Sequence, residues 1–84
     1  MNPDELRATV IAELKRIAPE LEEGELSPAK PLRDQVDLDS FDFLNVIIRL
    51  HERLEVDIPE ADYGQLATLD GAVDYLAKKC RGGA

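Results

Sequence analysis

The chain has 84 residues, of which 44% are hydrophobic and 33% charged, and its 18 acidic side chains against 10 basic ones give a formal charge of −8. This length allows one small domain with a modest core and leaves no room for a deep cleft between two lobes. The acidic balance argues against nucleic-acid binding and against direct binding to an anionic membrane, since both need clustered Lys and Arg to neutralise phosphates.

The sequence predicts neither a secretory leader at the N-terminus nor a membrane span. Met1-Asn2-Pro3-Asp4-Glu5 lacks the basic and apolar regions of a signal peptide, and no run of 18 apolar residues occurs in the chain. Cys80 has no second cysteine with which to form a disulfide, and no neighbour is identified that would activate its thiol. We therefore expect a cytoplasmic monomer with an idle thiol.

The first predicted element is an amphipathic helix that ends near Pro19. Asn2 is expected to cap it, with Pro3 in the first turn and Glu5 placed to complete a capping box. At 100° per residue, the apolar side chains of this segment fall within one arc of about 140°. They are Leu6, Val10, Ile11, Leu14, Ile17, Ala18 and Leu21. This face is expected to enter the core.

A connection of about twenty residues follows, and in a compact domain a loop of this length is either disordered or functional. It shows no helical or strand periodicity. Its apolar residues are spaced so as to pin it onto the core: Leu26, Leu32, Val36 and Leu38.

The second helix is predicted to open at Asp39-Ser40-Phe41-Asp42 and to run to about Leu54, with Asp39 as its N-cap. One face is wide enough to serve as the core face: Phe43, Val46, Ile47, Leu50 and Leu54. A separate apolar stripe lies on the side of Ser40 and His51: Phe41, Leu44 and Ile48. Either this helix is packed on two sides, or the stripe is a surface for an apolar ligand or a partner helix.

The rest of the chain predicts an extended segment and two further helices. Val56-Asp57-Ile58-Pro59 is extended, Pro59 to Leu66 forms one or two weak turns, and Thr68 caps a last amphipathic helix. The predicted fold is all-α: a small four-helix bundle of three longer helices and a short one, with a long loop between the first two. Residues 1–80 are expected to form the domain and residues 81–84 a flexible tail.

The side-chain chemistry does not favour an enzyme or a resident metal. Ser40 and His51 lie on one helix about 16 Å apart, which excludes a Ser–His nucleophile pair. The segment Asp37-Leu38-Asp39 lacks the later ligands of a calcium loop, and a single His without a Cys pair leaves no structural zinc site. A serine at a helix start is well suited to carry a phosphate. Ser40 is therefore predicted to be a modification site, with Asp39 as a magnesium ligand for the modifying enzyme.

With these residues the chain resembles the acyl carrier protein family, whose serine bears 4′-phosphopantetheine. The resemblance rests on Asp39-Ser40-Phe41, on the apolar and acidic helix Phe41 to Glu55, on Val56-Asp57-Ile58-Pro59-Glu60, and on Thr68-Leu69 leading into Val73-Asp74-Tyr75-Leu76. It implies that Ser40 receives the group from coenzyme A and that Asp39 assists the Mg²⁺ of the phosphopantetheinyl transferase.

The resemblance also implies a non-catalytic protein that holds acyl groups as thioesters and presents them to enzymes of fatty acid, lipid or polyketide biosynthesis. The expected acyl-chain or partner face is the stripe Phe41, Leu44 and Ile48. Residues 20–62 hold 13 acids and four bases, a net charge of −9. The acids expected to meet basic docking surfaces on acyl-activating or acyl-transfer enzymes are Asp37, Asp42, Glu52 and Glu55.

Two alternatives remain open. The Asp-Ser-Phe form also resembles aminoacyl or D-alanyl carrier proteins. Leu38, Phe43 and the bases of the second helix depart from the usual family pattern, which indicates a specialised member. The other alternative is an acidic helical adaptor without a prosthetic group, which would bind a partner helix through the stripe Phe41, Leu44 and Ile48.

Overall fold

The computed structural model describes residues 2–82, which fold into three long α-helices and several short helical turns. α1 spans Pro3–Ile17, α2 spans Leu32–Gln35, α3 spans Ser40–Leu54 and α4 spans Leu69–Gly82. Short 3-10 helices cover Glu23–Glu25 and Glu60–Leu66. Within the described residues, extended pairing is limited to an isolated bridge between Pro31 and Thr68. The predicted all-α class is confirmed.

The long helices begin where their capping residues stand. At the start of α1, Asn2 Oδ1 accepts a backbone N–H of the first turn at 2.8 Å. At the start of α3, the Asp39 carboxylate accepts the Asp42 N–H at 2.8 Å, and the Asp42 carboxylate accepts the Asp39 N–H at 3.5 Å. This reciprocal pair is a capping box. Thr68 Oγ1 likewise accepts the Gly71 N–H at 3.0 Å in α4. All three predicted caps are confirmed.

The core is formed where α1 packs against α3 and α4. Its largest fully buried side chains come from these three helices: Leu6, Val10, Leu14, Leu50, Leu69 and Leu76. On α3, the predicted core face is buried at Val46, Ile47 and Leu50 and half-buried at Phe43 and Leu54. Burying each such side chain stabilises the fold by about 1.5–3 kcal/mol.

The long connection between α1 and α3 has a fixed path. Its apolar anchors are buried, as predicted: Leu26, Leu32, Val36 and Leu38. Gln35 closes the loop on itself, because its side chain accepts the Ser27 N–H at 2.6 Å and donates to the Ser27 carbonyl oxygen at 2.8 Å. The sequence did not predict α2, because four residues are too few to show a helical period.

Two backbone hydrogen bonds fasten this loop to the start of α4. The Leu32 N–H donates to the Ala67 carbonyl oxygen at 2.7 Å, and the Asp70 N–H donates to the Pro28 carbonyl oxygen at 3.0 Å. The segment that leads into α3 is therefore held in place by the C-terminal part of the chain.

The last helix reaches beyond the predicted edge of the domain at residue 80, since α4 continues to Gly82. Residues 83 and 84 of the predicted tail lie outside the described residues, so the tail stays a prediction. Across residues 2–82, none of the helices has the length and apolar content needed to cross a membrane.

Candidate functional site

Ser40 is the first residue of α3, and its side chain is exposed. The Asp39 carboxylate before it is exposed as well and is held by the cap that it forms with Asp42. Local sequence therefore places the Ser40 hydroxyl at the positive end of a 15-residue helix, open to an incoming enzyme.

His51 takes part in a different contact. Its Nδ1 lies within hydrogen-bond distance of the Val56 carbonyl oxygen and donates to it, three turns away from Ser40. This bond ties the end of α3 to the extended segment that follows. Ser40 and His51 thus lie on one helix at the separation that the sequence predicted, which is too large for a hydrogen bond between them.

A pocket of about 390 Å³ opens beside Ser40. Three segments of the chain supply its other walls: Arg33 from α2, Phe43 and Leu44 from α3, and Glu60 and Tyr63 from the second 3-10 helix. Sequence analysis identified Leu44 as part of the stripe but missed Arg33, Glu60 and Tyr63 as site residues. No local pattern marks them, because only the folded chain brings them to Ser40.

Arg33 is the cationic side chain among the described residues that line this pocket. Its Nε–H donates to the Leu38 carbonyl oxygen at 3.4 Å, just before α3 begins. The ion pairs present within residues 2–82 join Arg49 and Arg53 to Glu13 and do not include Arg33. The Nη groups of Arg33 are therefore not paired with a carboxylate of residues 2–82.

The apolar stripe of α3 lies at the surface. Phe41 is 78% exposed, Ile48 42% and Leu44 37%. The structure thus leaves this side of α3 unpacked by other helices, in agreement with the surface interpretation of the stripe. Leu44 joins the stripe to the pocket beside Ser40, whereas Ile48 borders a second pocket of about 370 Å³ between α1 and α3.

The acids singled out for partner contacts are not equivalent. Asp37, Glu52 and Glu55 are exposed, while Asp42 is half-buried and takes part in the α3 cap. Glu55 ends α3 in the left-handed conformation, with φ of 55°.

Two of the bases on α3 pair with a buried acid on α1, a contact that sequence analysis missed. The Glu13 side chain is 2% exposed, and its carboxylate oxygens lie 2.8 Å from Arg49 Nε and 3.4 Å from Arg53 Nη1. These pairs join α1 to the helix that carries Ser40. The three side chains keep a net charge of +1, because one carboxylate faces two guanidinium groups.

The 3-10 helix that carries Glu60 and Tyr63 is held against α4 by a buried phenol. The Tyr75 hydroxyl donates to Asp62 Oδ2 at 2.7 Å. Burial, this hydrogen bond and the negative charges of Asp62 and Asp57 together raise the pKa of Tyr75 to about 12. Tyr75 thus helps to set one wall of the pocket.

Neither metal-binding nor cysteine chemistry is evident in the described part of the chain. Among residues 2–82, no group of three or more His, Cys, Asp or Glu side chains is arranged to hold a metal ion. Cys80 is a free, half-buried thiol at the end of α4.

Comparison with known proteins identifies relatives of one kind. A family model described as a phosphopantetheine attachment site matches residues 4–76. An acyl carrier protein of Acidothermus cellulolyticus is 30% identical over 69 residues, which cover 82% of each chain. One of Myxococcus xanthus is 27% identical over 66 residues, 79% of this chain and 84% of the relative. A meromycolate extension acyl carrier protein of Mycobacterium leprae is 29% identical over 68 residues, 81% of this chain and 59% of the relative.

Proposed function

We propose that Ser40 carries the 4′-phosphopantetheine prosthetic group of this chain. The chain belongs to the acyl carrier protein family, which makes it a non-catalytic carrier of that group. The observation that supports this assignment is the exposed Ser40 side chain at the start of α3, directly after Asp39 and beside an open pocket. Asp39 is proposed to supply a ligand to the Mg²⁺ of the phosphopantetheinyl transferase that modifies Ser40.

The residues around Ser40 fit a group that is attached through a phosphate. The hydroxyl is accessible at the positive end of α3, and Arg33 lines the same pocket. When bound, the group supplies a terminal thiol that holds the cargo as a thioester. The chain's own contribution is to present this arm and to shield its cargo.

We propose that the cargo is an acyl group and that the partners are enzymes of fatty acid, lipid or polyketide biosynthesis. Phe41, Leu44 and Ile48 are the proposed acyl-chain or partner face, because they are large, apolar and exposed. Each methylene buried beside them gains about 0.8 kcal/mol, so a few methylenes are partly shielded from water and still extractable by an enzyme. Basic docking surfaces on these enzymes would meet the proposed partner acids: Asp37, Asp42, Glu52 and Glu55.

The attachment site is tested by intact-mass measurement after incubation with coenzyme A, Mg²⁺ and a phosphopantetheinyl transferase. The wild-type chain is expected to gain the mass of one phosphopantetheine group, and Ser40→Ala is expected to gain none. Ser27→Ala is the matched control, because Ser27 is the other serine of the chain and lies outside the pocket. An unchanged mass gain in Ser40→Ala would refute the assignment.

An aminoacyl or D-alanyl cargo is the second candidate, and Glu60 is the observation that favours it. Glu60 lines the pocket beside Ser40, and its carboxylate can accept hydrogen bonds from the ammonium group of an aminoacyl cargo when the arm folds back over this pocket. Loading assays on the modified protein separate the two candidates. Loading only by an acyl-transferring enzyme supports the acyl assignment, and loading only by an amino-acid-activating enzyme overturns it. The adaptor hypothesis is not retained, since membership of this family implies a prosthetic group.

A further inference from the structure

Attachment of the arm to Ser40 would place a new anion among acids. Asp37 and Asp39 precede Ser40 and are exposed, Asp42 follows it, and Glu60 lines the same pocket. The phosphodiester that joins the arm to a serine carries a negative charge at neutral pH. Like charges that lie close together repel one another, so an arm without a cationic contact would be driven away from the surface.

Arg33 is placed to reverse this effect. It lines the same pocket as Ser40, and the bond from its Nε–H to the Leu38 carbonyl oxygen turns the guanidinium towards the start of α3. Its Nη groups are not paired with a carboxylate of residues 2–82. A guanidinium presents parallel N–H groups that match two phosphate oxygens.

We propose that Arg33 binds the phosphodiester of the arm on Ser40 and thereby directs the root of the arm over the pocket wall formed by Phe43 and Tyr63. This proposal rests on the proposed attachment at Ser40. Arg33 acts as a positioning residue, because it takes no part in the attachment reaction and fixes where the arm leaves the protein. Since Arg33 is exposed, the contact is expected to raise the population of the held arm only about two- to fivefold, and to weaken with salt.

The test uses the full chain with the arm attached and no cargo. Arg33 is replaced by Gln, which removes the charge, and by Lys, which keeps the charge but not the paired N–H groups. Lys30→Gln is the matched control, because Lys30 is an exposed cation of the same loop that does not line the pocket. Thermal unfolding of each unmodified variant verifies that the fold is kept.

Two magnetic resonance measurements report the contact without any activity assay. In the wild type, arm attachment is expected to shift the Arg33 Nη–H resonances and to slow their hydrogen exchange about two- to fivefold. The phosphorus resonance of the phosphodiester is expected to sharpen and shift in Arg33→Gln, to change less in Arg33→Lys, and to stay as in the wild type in Lys30→Gln.

The outcomes separate the two proposals. If Ser40 accepts the arm but the Arg33 resonance is the same with and without it, or if Arg33→Gln and Lys30→Gln give the same phosphorus spectrum, the role of Arg33 is refuted and the attachment site stands. A chain that gains no arm at Ser40 refutes both.

Discussion

At Gly71, α4 lies close to the turn before it. A Cβ atom at this position would stand 2.6 Å from the Gln65 carbonyl oxygen and 2.9 Å from Thr68 Oγ1. The first of these is backbone and cannot swing away. Gly64, in the neighbouring 3-10 helix, has nothing within 4 Å of the same atom.

Gly71→Ala is therefore expected to lower the free energy of unfolding by about 1–3 kcal/mol, although alanine is the better helix former. Gly64→Ala, the control, is expected to change it by less than about 1 kcal/mol and in the stabilising direction. Urea denaturation followed by circular dichroism measures both. Equal losses in the two variants would contradict the close approach at Gly71.

Tyr75 gives the fold a pH dependence in the alkaline range. Its pKa rises from 10.0 to about 12 on folding, mainly because the phenol is buried and also because it donates to Asp62. The stabilisation from the neutral phenol is complete below pH 10 and is lost as the pH approaches about 12. The difference in unfolding free energy between wild type and Tyr75→Phe should therefore narrow over this range.

Two measurements examine this expectation. Denaturant unfolding of both proteins at several pH values gives the stability difference, and one that stays constant up to pH 12 would be inconsistent with the raised pKa. Tyrosinate absorbance in a Tyr63→Phe background reads Tyr75 directly, because the chain has two tyrosines.

Among the secondary-structure elements, α1, α3 and α4 were predictable because their signals are local. A cap such as Asn2 or Asp39 and a stripe of apolar residues are visible within one segment. The Glu23–Glu25 turn and α2 were not predictable, since they are too short for a period and α2 is fixed by the bonds of Gln35 to a distant part of the loop. The same distinction applies to the candidate site. Asp39-Ser40 could be predicted because it is a sequence motif, whereas Arg33 and Tyr63 could not, because the folded structure brings them to the pocket beside Ser40.

The C-terminus of α3 carries a residue that is not the best choice for its conformation. Glu55 has φ of 55°, a region that costs an L-residue about 1–2 kcal/mol and glycine almost nothing. Glu55→Gly is therefore expected to raise the free energy of unfolding by about 0.5–1 kcal/mol. Glu52→Gly, at an exposed position within the last turn of α3, should lower the free energy of unfolding by about 1 kcal/mol. Thermal unfolding measures both variants, and a loss of stability in each would contradict the role of the left-handed cap.

At the scale of the whole molecule, the charge is unevenly distributed along the chain. Residues 20–62 carry a net charge of −9, whereas the rest of the chain carries +1. Two of the four bases in residues 20–62 pair with the buried Glu13 carboxylate. Exposed charges of this kind mainly raise the rate at which partners of opposite charge meet. The acidic region that surrounds Ser40 is thus expected to steer basic enzymes towards it.

This steering predicts that kcat/KM of a phosphopantetheinyl transferase for the unmodified chain falls between 0.1 and 1 M salt, where the Debye length shrinks from about 10 Å to about 3 Å. Asp37→Lys is expected to lower kcat/KM several-fold at low salt. Asp74→Lys, an equal change at an exposed position on α4, should have a smaller effect. If both reversals slow the reaction equally, the charge serves only to keep copies of the chain apart.

The two bonds between the loop and the start of α4 join segments that are made at different times during protein synthesis. The N-terminal part of a chain leaves the ribosome first. Pro28 therefore emerges before its hydrogen-bond partner Asp70, and Leu32 before its partner Ala67. A nascent chain that already displays Ser40 therefore still lacks the contacts that fix the path of the segment before it. The segment before Ser40 can take its final path only after Ala67 and Asp70 have been made, so a product truncated before them would present its serine on an unfastened loop.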